Sequence, residues 1–379
     1  MPLLRVPYTD PLPTGKIFPA VASSTSGAIA ALREFLCVTP SPSLTNIGAS
    51  AEGKHKTVLL TGAGISVASG LADYRGTSGT YTLNKTYRPI YYNEFCENHE
   101  ARKRYWARSF LGWTNLAKAK PNEAHHAVKR LGDMGILRSV ITQNVDSFHP
   151  NAHPNLSTVE LHGYLRSLVC LTCHTEYPRN AFQKRLTALN PAWATFLEEM
   201  LTTGALDTEN PTERRRRGYR ANPDGDVDVP NAPYTTFRYP PCPTCESGQT
   251  PTGISPPKIA VDADGAWTTS STGGVLKPAV IMFGESIPAA TKIDAEAAID
   301  GASRILIIGS SLATYSAWRL VKRAKERGMP IGVINIGGVR GEENFFADLP
   351  DDNDGRYGVR CNEGAGPVLQ GVIKELSGE

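Results

Sequence analysis

The chain has no long apolar run. Nothing in its 379 residues approaches the ~20 consecutive apolar residues a membrane helix requires, and the longest run, near 305–309, is strand-like. Cysteine is scarce. There are seven, an odd number, and four of them form two Cys-x-x-Cys pairs. That usage argues against a disulfide framework and for a reducing compartment with a metal site. Cys37, Cys96 and Cys361 are left as single thiols. An excess of either charge is also missing. The net charge is +3, and a single run, Arg214 to Arg217, supplies four of the positive charges. So balanced a chain offers no general basic surface to nucleic acid. Such a run can bind a polyanion or act as an import signal. Gly, Pro and Asp surround it here, which favours a solvated loop. The segment 1–22 has five prolines and no apolar core, so it is expected to be neither a transit peptide nor a secretory signal.

What is present points to an α/β protein. Residues 57–61 form an apolar run that reads as a buried strand, followed by Gly62-Ala63-Gly64-Ile65-Ser66. A strand, a glycine turn and a helix start make a site for a phosphate, because backbone N–H groups face the anion and glycine lets it approach. Val67 stands where a third fingerprint glycine would be, and no Gly-Lys-Ser/Thr is present, so the turn alone is weakly specific. A second strand, 138–142, ends in Gln143-Asn144-Val145-Asp146, with His149 just beyond. It puts an amide pair and a carboxylate where open α/β sheets hold ligands.

Further strands are expected at 158–161, 280–283, 304–308 and 331–335. Helices are expected at 29–36, 94–116, 122–134, 178–201, 315–327 and 368–376. This alternation implies a Rossmann-like, doubly wound parallel sheet. Tyr105, Trp106, Phe110 and Trp113 should form the apolar stripe of the 94–116 helix. Two insertions interrupt the pattern: a polar stretch at 202–233, and a Ser-, Thr-, Gly- and Pro-rich stretch at 246–274 expected to be a mobile loop.

Cys170-Leu-Thr-Cys173 and Cys242-Pro-Thr-Cys245 read as a four-thiolate zinc site. All four positions are filled by protein, which makes the ion structural. The expected organisation is an N-terminal extension over 1–26, a nucleotide-binding domain over 27–163 and 275–379, and a zinc module over 164–274.

The glycine turn, Asp73-Tyr74-Arg75, Gln143-Asn144-Val145-Asp146, Leu161-His162-Gly163, the two Cys-x-x-Cys pairs, Phe283-Gly284-Glu285, Gly309-Ser310-Ser311 and Asn335-Ile336-Gly337 occur in one order. In that order the chain resembles the sirtuins, NAD-dependent protein deacylases, from about residue 32 to the C-terminus apart from the insertions. The stretch 104–113 further resembles their class II branch.

The resemblance implies NAD as a cosubstrate, one structural zinc ion and acyl-lysine proteins as partners. It implies that the acyl oxygen of the lysine attacks the ribose, nicotinamide leaves, and the acyl group passes to ADP-ribose. His162 would be the general base, with a reference pKa suited to the task. Asn144 and Asp146 would contact nicotinamide and ribose. Gly62, Ala63, Gly64, Ser66, Asp73, Tyr74 and Arg75 would form the phosphate turn and the loop over the cofactor, with Gln143 beside them. Gly309, Ser310, Ser311, Asn335, Ile336, Gly337 and Cys361 would meet the adenosine. Phe283, Gly284 and Glu285 would be the strip that pairs with the substrate peptide. Arg104 and Arg108 are the candidates for facing an acidic acyl chain, although a surface arginine is the commoner case. The other histidines are read as structural or exposed. A mitochondrial matrix location rests on the resemblance alone, with cytoplasm or nucleus as the alternative. Mono-ADP-ribosyl transfer and non-catalytic NAD or zinc binding are the competing functions.

Overall fold

Residues Thr57–Thr61 are buried at every position, as are Arg304–Ile308 and Ile331–Ile334. Burial on both faces is the mark of central strands in a parallel sheet covered by helices on each side. A computed structural model describes residues 12–37, 56–77, 79–83, 87–204, 220–347, 349–350 and 354–378. The arginine run 214–217 and the loop 39–53 lie outside them.

In chain order the strands are β1 (Thr57–Thr61), β2 (Leu137–Thr142), β3 (Thr158–Glu160), β4 (Gly163–Cys170), β5 (Glu176–Pro178), β6 (Arg220–Ala221), β7 (Val227–Asp228), β8 (Leu276–Val280), β9 (Arg304–Ile308), β10 (Ile331–Ile334) and β11 (Gly358–Cys361). Six of them form one sheet in the order β11-β10-β9-β1-β2-β3, with all pairings parallel. The strand order reverses between β1 and β9, and such a switch point opens a crevice at the carboxyl ends of the strands.

Helices Thr25–Cys37, Glu123–Asp133 and Ala365–Ser377 bury Leu32, Phe35, Val128, Leu131, Leu369 and Ile373 on one face of the sheet. Helices Ala289–Asp300 and Tyr315–Glu326 cover the other. Ala317, Leu320, Val321 and Ala324 are spaced as one helical face should be.

A second core lies beside this sheet. Strands β5-β4-β8 pair antiparallel, and their side chains share one apolar cluster with Phe95, Trp106, Phe110, Phe182, Trp193, Phe237 and the four paired cysteines. Each large apolar side chain fully buried there contributes about 1.5–3 kcal/mol. Truncating Phe110, which has no exposed surface, should cost roughly 3–5 kcal/mol.

The structure corrects several expectations. The 94–116 segment is two helices, Tyr92–Glu97 and His99–Lys118, because Asn98 leaves the helical conformation and caps the second. Trp106 and Phe110 of that stripe are buried, and they belong to the small lobe. The expected 163/164 and 274/275 divisions cut a shared sheet, since β4 starts at Gly163 and β8 runs to Val280. The strand expected at 280–283 is therefore β8 at 276–280, an antiparallel strand of the small lobe. The 246–274 stretch is held in place. Trp267 is 7% exposed, stacks on Tyr239, and donates its indole N–H to the Gly273 carbonyl at 2.8 Å.

Candidate active site

The turn after β1 is shaped by how closely two strand ends approach. A Cβ on Gly62 would meet the Gly309 carbonyl oxygen and Ser310 Cβ at 2.8 Å, and one on Gly64 would meet Gly309 Cα at 2.8 Å. Gly309 itself has φ +61°, a left-handed conformation that side chains resist. The helix start expected after the turn is a 3₁₀ helix, Ala63–Ser69. Its Gly64 N–H donates to the Gly309 carbonyl at 2.9 Å. Asn122 fixes the turn from outside, donating to the Ile65 carbonyl at 2.8 Å and to Ser69 Oγ at 3.0 Å.

Beyond these strand ends lies a cleft of about 420 Å³. Every residue predicted for the turn, the cofactor loop and the later strand ends lines it, with one exception. Cys361 sits in β11 without exposed surface, inside the core, and does not reach the cleft.

Asn144 donates from Nδ2 to Ser66 Oγ at 3.1 Å, and Ser66 Oγ donates to Asp146 Oδ2 at 2.7 Å. The Phe148 N–H donates to Asp146 Oδ1 at 2.9 Å, while burial holds this carboxyl above its ordinary range. Gln143 donates to Ser310 Oγ at 2.7 Å and accepts from Thr314 Oγ1 at 2.8 Å, which ties β2 to the loop after β9.

His162 Nδ1 lies 3.1 Å from the Gln143 carbonyl. A carbonyl only accepts, so Nδ1 carries the hydrogen. Nε2 is then the free acceptor, 2.8 Å from Ser316 Oγ. Burial lowers this imidazole to about 4, well below the near-neutral value its residue type suggests, so it is neutral at physiological pH.

Behind the site, Thr61 Oγ1 donates to Thr142 Oγ1 at 2.9 Å, and Thr142 Oγ1 accepts the Asn144 N–H at 3.1 Å. With its hydrogen committed, Thr61 accepts from His149 Nε2 at 2.9 Å. His149 Nδ1 then accepts from His153 Nε2 at 2.8 Å. Burial keeps His149 well below its usual pKa, so this chain is neutral and structural, and it sets the backbone of Asn144.

The opposite wall comes from the small lobe. Arg108 is 6% exposed and pairs with Asp226, Nη2 to Oδ2 at 2.7 Å. The Tyr74 hydroxyl donates to Asp224. Both acids come from the turn of the β6–β7 hairpin, inside the stretch read as a polar insertion. Arg75 lies over the Tyr81 ring at 5.1 Å, and Asp73 accepts the Gly76 N–H at 3.0 Å. Arg104 is exposed, so of the two arginines only Arg108 departs from the surface reading. Sequence reasoning missed Tyr81, Tyr87, Asp224, Asp226, Thr314 and Ser316. Only the hairpin had a signal, since Pro223-Asp224-Gly225 is turn chemistry.

Phe283-Gly284-Glu285 is a tight turn and not an extended edge. Gly284 has φ +84°, the Glu285 N–H donates to the Met282 carbonyl at 2.9 Å, and the Phe283 carbonyl already accepts from Tyr92 N–H. Glu285 pairs with Lys277 at 2.9 Å.

The ligand atoms of Cys170, Cys173, Cys242 and Cys245 lie within 4.8 Å of one another, all four residues buried. The Cys170–Cys245 and Cys173–Cys242 sulfurs are 3.6 and 3.7 Å apart. Zinc–sulfur bonds of about 2.3 Å in a tetrahedron require nearly this spacing. The residues therefore fit one zinc ion with no open position.

The Sir2 family model matches residues 62–316. The chain belongs to the Sir2 family. It is 39% identical to the NAD-dependent protein deacylase SIR4 of Batrachochytrium dendrobatidis over 76% of this chain and 83% of that protein. It is 34% identical to the NAD-dependent protein deacylase SRT2 of Arabidopsis thaliana, over 77% and 69%. Among solved structures, a Sir2 protein with a p53 peptide and NAD+ is similar at 21% identity with a TM-score of 0.52, covering 86% of this chain and 94% of that one. That last likeness speaks for the fold, and the sirtuin sheet found here agrees with it.

Proposed function

We propose that this sirtuin is an NAD-dependent protein-lysine deacylase that releases nicotinamide and passes the acyl group from lysine to ADP-ribose. The observation that carries the reading is His162. Its Nδ1–H is spent on a carbonyl and its neutral Nε2 lone pair lies in the same cleft as the Asn144–Ser66–Asp146 relay. The named activities of the fungal and plant relatives support it.

NAD, when bound, supplies a ribose carbon whose bond to nicotinamide breaks with build-up of positive charge. The turn Gly62-Ala63-Gly64 lines the cleft and would receive its phosphates, and Asp146 would set a carboxylate toward the developing cation. Asn144, held by Ser66 and by the Thr142 hydroxyl, would orient the carboxamide. His162 would accept at Nε2 the proton of a ribose hydroxyl in place of its hydrogen bond with Ser316. Gln143 keeps that ring in the needed tautomer. The zinc ion would tie the two cysteine pairs together and take no part in the chemistry.

The test is one lysine peptide carrying a panel of acyl groups, incubated with NAD and scored for nicotinamide. Release with at least one acyl group is expected, falling about 10²-fold or more for His162→Ala. Label from NAD moving onto protein without acyl transfer would favour mono-ADP-ribosyl transfer instead. A mitochondrial matrix location is proposed on family resemblance, and fractionation of cells expressing the tagged chain tests it.

A further inference from the structure

The far edge of the parallel sheet carries a buried ion pair that the mechanism leaves unused. Arg360 lies in β11, Glu342 opens the short helix Glu342–Phe345, and neither has any exposed surface. Arg360 Nε donates to Glu342 Oε2 at 3.0 Å. The rest of the guanidinium is spent on main-chain carbonyls. Nη1 donates to Asn335 at 2.7 Å and to Cys361 at 2.6 Å, and Nη2 donates to Gly337. Two of these three carbonyls belong to the loop after β10, whose residues 335–338 line the cleft. Asn362 holds the same loop from the end of β11, its Oδ1 accepting the Gly337 N–H at 2.9 Å.

Glu342 also fastens a second piece of chain. Its Oε1 accepts the Lys16 N–H at 2.9 Å, while Oε2 accepts the Val339 N–H at 3.1 Å. Lys16 belongs to a strap, residues 12–18, that runs along the sheet edge. Phe18 and Arg360 exchange both main-chain hydrogen bonds, so the strap closes on β11 as an antiparallel bridge. It lies directly on the loop. A Cβ on Gly15 would meet Arg360 Nη2 at 2.8 Å and the Gly337 carbonyl oxygen at 3.1 Å, and one on Gly338 would meet the Pro13 carbonyl oxygen at 1.7 Å. This seating brings Leu12 into the lining of the cleft.

An ion pair buried this completely is a costly way to hold an edge strand, and apolar side chains of similar volume commonly do as well. What they cannot do is turn two carbonyls of one loop inward together, which the planar fork of an arginine does. With those carbonyls held, Ile336 between them is 64% exposed and lines the cleft. We infer that Arg360 and Glu342 are positioning residues for the adenosine end of NAD, and that the strap completes that end: the pair sets the 335–338 loop, and Leu12 and Ile336 supply apolar contacts to the purine. The inference rests on the use of NAD in the deacylase reading and deepens it, and it needs nothing of the acyl chemistry. A loop set in advance costs little to order when the dinucleotide arrives. Its contacts lie away from the reacting bond and are the same before and at the transition state, so losing them raises KM and spares kcat.

The experiment uses the full zinc-loaded chain and the variants Arg360→Met, Arg360→Lys and Leu12→Ala. Calorimetry with ADP-ribose reads binding of the adenosine end. Nicotinamide release at varied NAD, with an accepted acyl-lysine peptide, reads KM and kcat separately. Arg360→Met is expected to weaken ADP-ribose binding and raise the KM for NAD roughly tenfold or more, the scale of a lost charge-assisted hydrogen bond, with kcat within about twofold. Arg360→Lys keeps a charge beside Glu342 without the fork, and should recover only part of the loss. Leu12→Ala removes no ion pair and should raise KM severalfold at an unchanged melting temperature, so it tests the strap even where Arg360→Met lowers the folded fraction. A KM for NAD unmoved by Arg360→Met or by Leu12→Ala, or a loss that appears in kcat in place of KM, overturns the inference. Weaker ADP-ribose binding by the variants, with no nicotinamide release from any peptide by the unaltered chain, would overturn the deacylase reading and leave the positioning role standing.

Discussion

The two walls of the cleft are built on different plans. The sheet-side wall is made of strand ends whose polar groups satisfy one another: Asn144 with Ser66 and Asp146, Gln143 with Ser310 and Thr314, His162 with Gln143. The small-lobe wall is made of one helix and one hairpin brought together across the chain, with buried groups left open. The first wall suits an invariant reaction, since its geometry is locked by hydrogen bonds from one strand end to the next. The second suits selection, because it can be altered without touching the reacting groups.

The largest expected effect separates the lobes. Removing zinc with a chelator, or Cys242→Ala, takes away a tie that in small zinc domains is worth on the order of 10 kcal/mol. The small lobe should lose its fixed packing, seen as a collapse of near-ultraviolet dichroism from Trp106, Trp193 and Trp267, which share its core. Turnover should vanish with it. Retention of the dichroism after complete zinc removal would break the distinction between the lobes.

Next in size is the sheet-side wall. Gly309→Ala puts a Cβ 2.4 Å from the Ile65 nitrogen in a left-handed backbone. Relieving both should cost about 1–3 kcal/mol and weaken NAD binding severalfold. Thermal melts and calorimetric titration with NAD read the two parts separately.

Smaller effects appear in pH. Burial lowers His162 to about 4, so its base form persists in acid, and kcat/KM should keep its histidine limb below pH 6, falling as pH drops toward 4. Asp224 moves the other way. Burial, then the Asp226 charge, pushes its carboxyl up to about 6. A folded-state pKa above the unfolded value means the folded protein holds that proton more tightly. The ionised form is thus a penalty that grows as pH rises through about 6. Asp224→Asn should stabilise the protein by about 1–2 kcal/mol at pH 8, after discounting for partial exposure, and the gain should fade toward pH 4. Urea melts at the two pH values check it.

The sequence revealed the sheet-side wall because each of its pieces is a consecutive run at a strand end. The glycine turn directly follows β1 and the polar run directly follows β2, and β1, β2, β9 and β10 appear as apolar runs. The other wall escaped because Arg108 and Asp226 become neighbours only after folding. Trp267 escaped for a related reason: a single aromatic in a Ser- and Gly-rich stretch gives no period, yet its burial against Tyr239 is what holds the stretch down. Cys361 misled because a strand-end position near the adenosine side looks alike in sequence whether it faces the cleft or the core. The β8 boundary was placed late because residues 281–283 continue the apolar run after the ladder ends, Ile281 N–H still donating to the His162 carbonyl at 2.8 Å.

The most direct test of the account is a single turnover of the zinc-loaded chain with NAD and an accepted acyl-lysine peptide, analysed by mass. Equal amounts of nicotinamide, free-lysine peptide and acylated ADP-ribose are the predicted result. Nicotinamide without acylated ADP-ribose, or an unchanged peptide with ADP-ribose attached to protein, would contradict it.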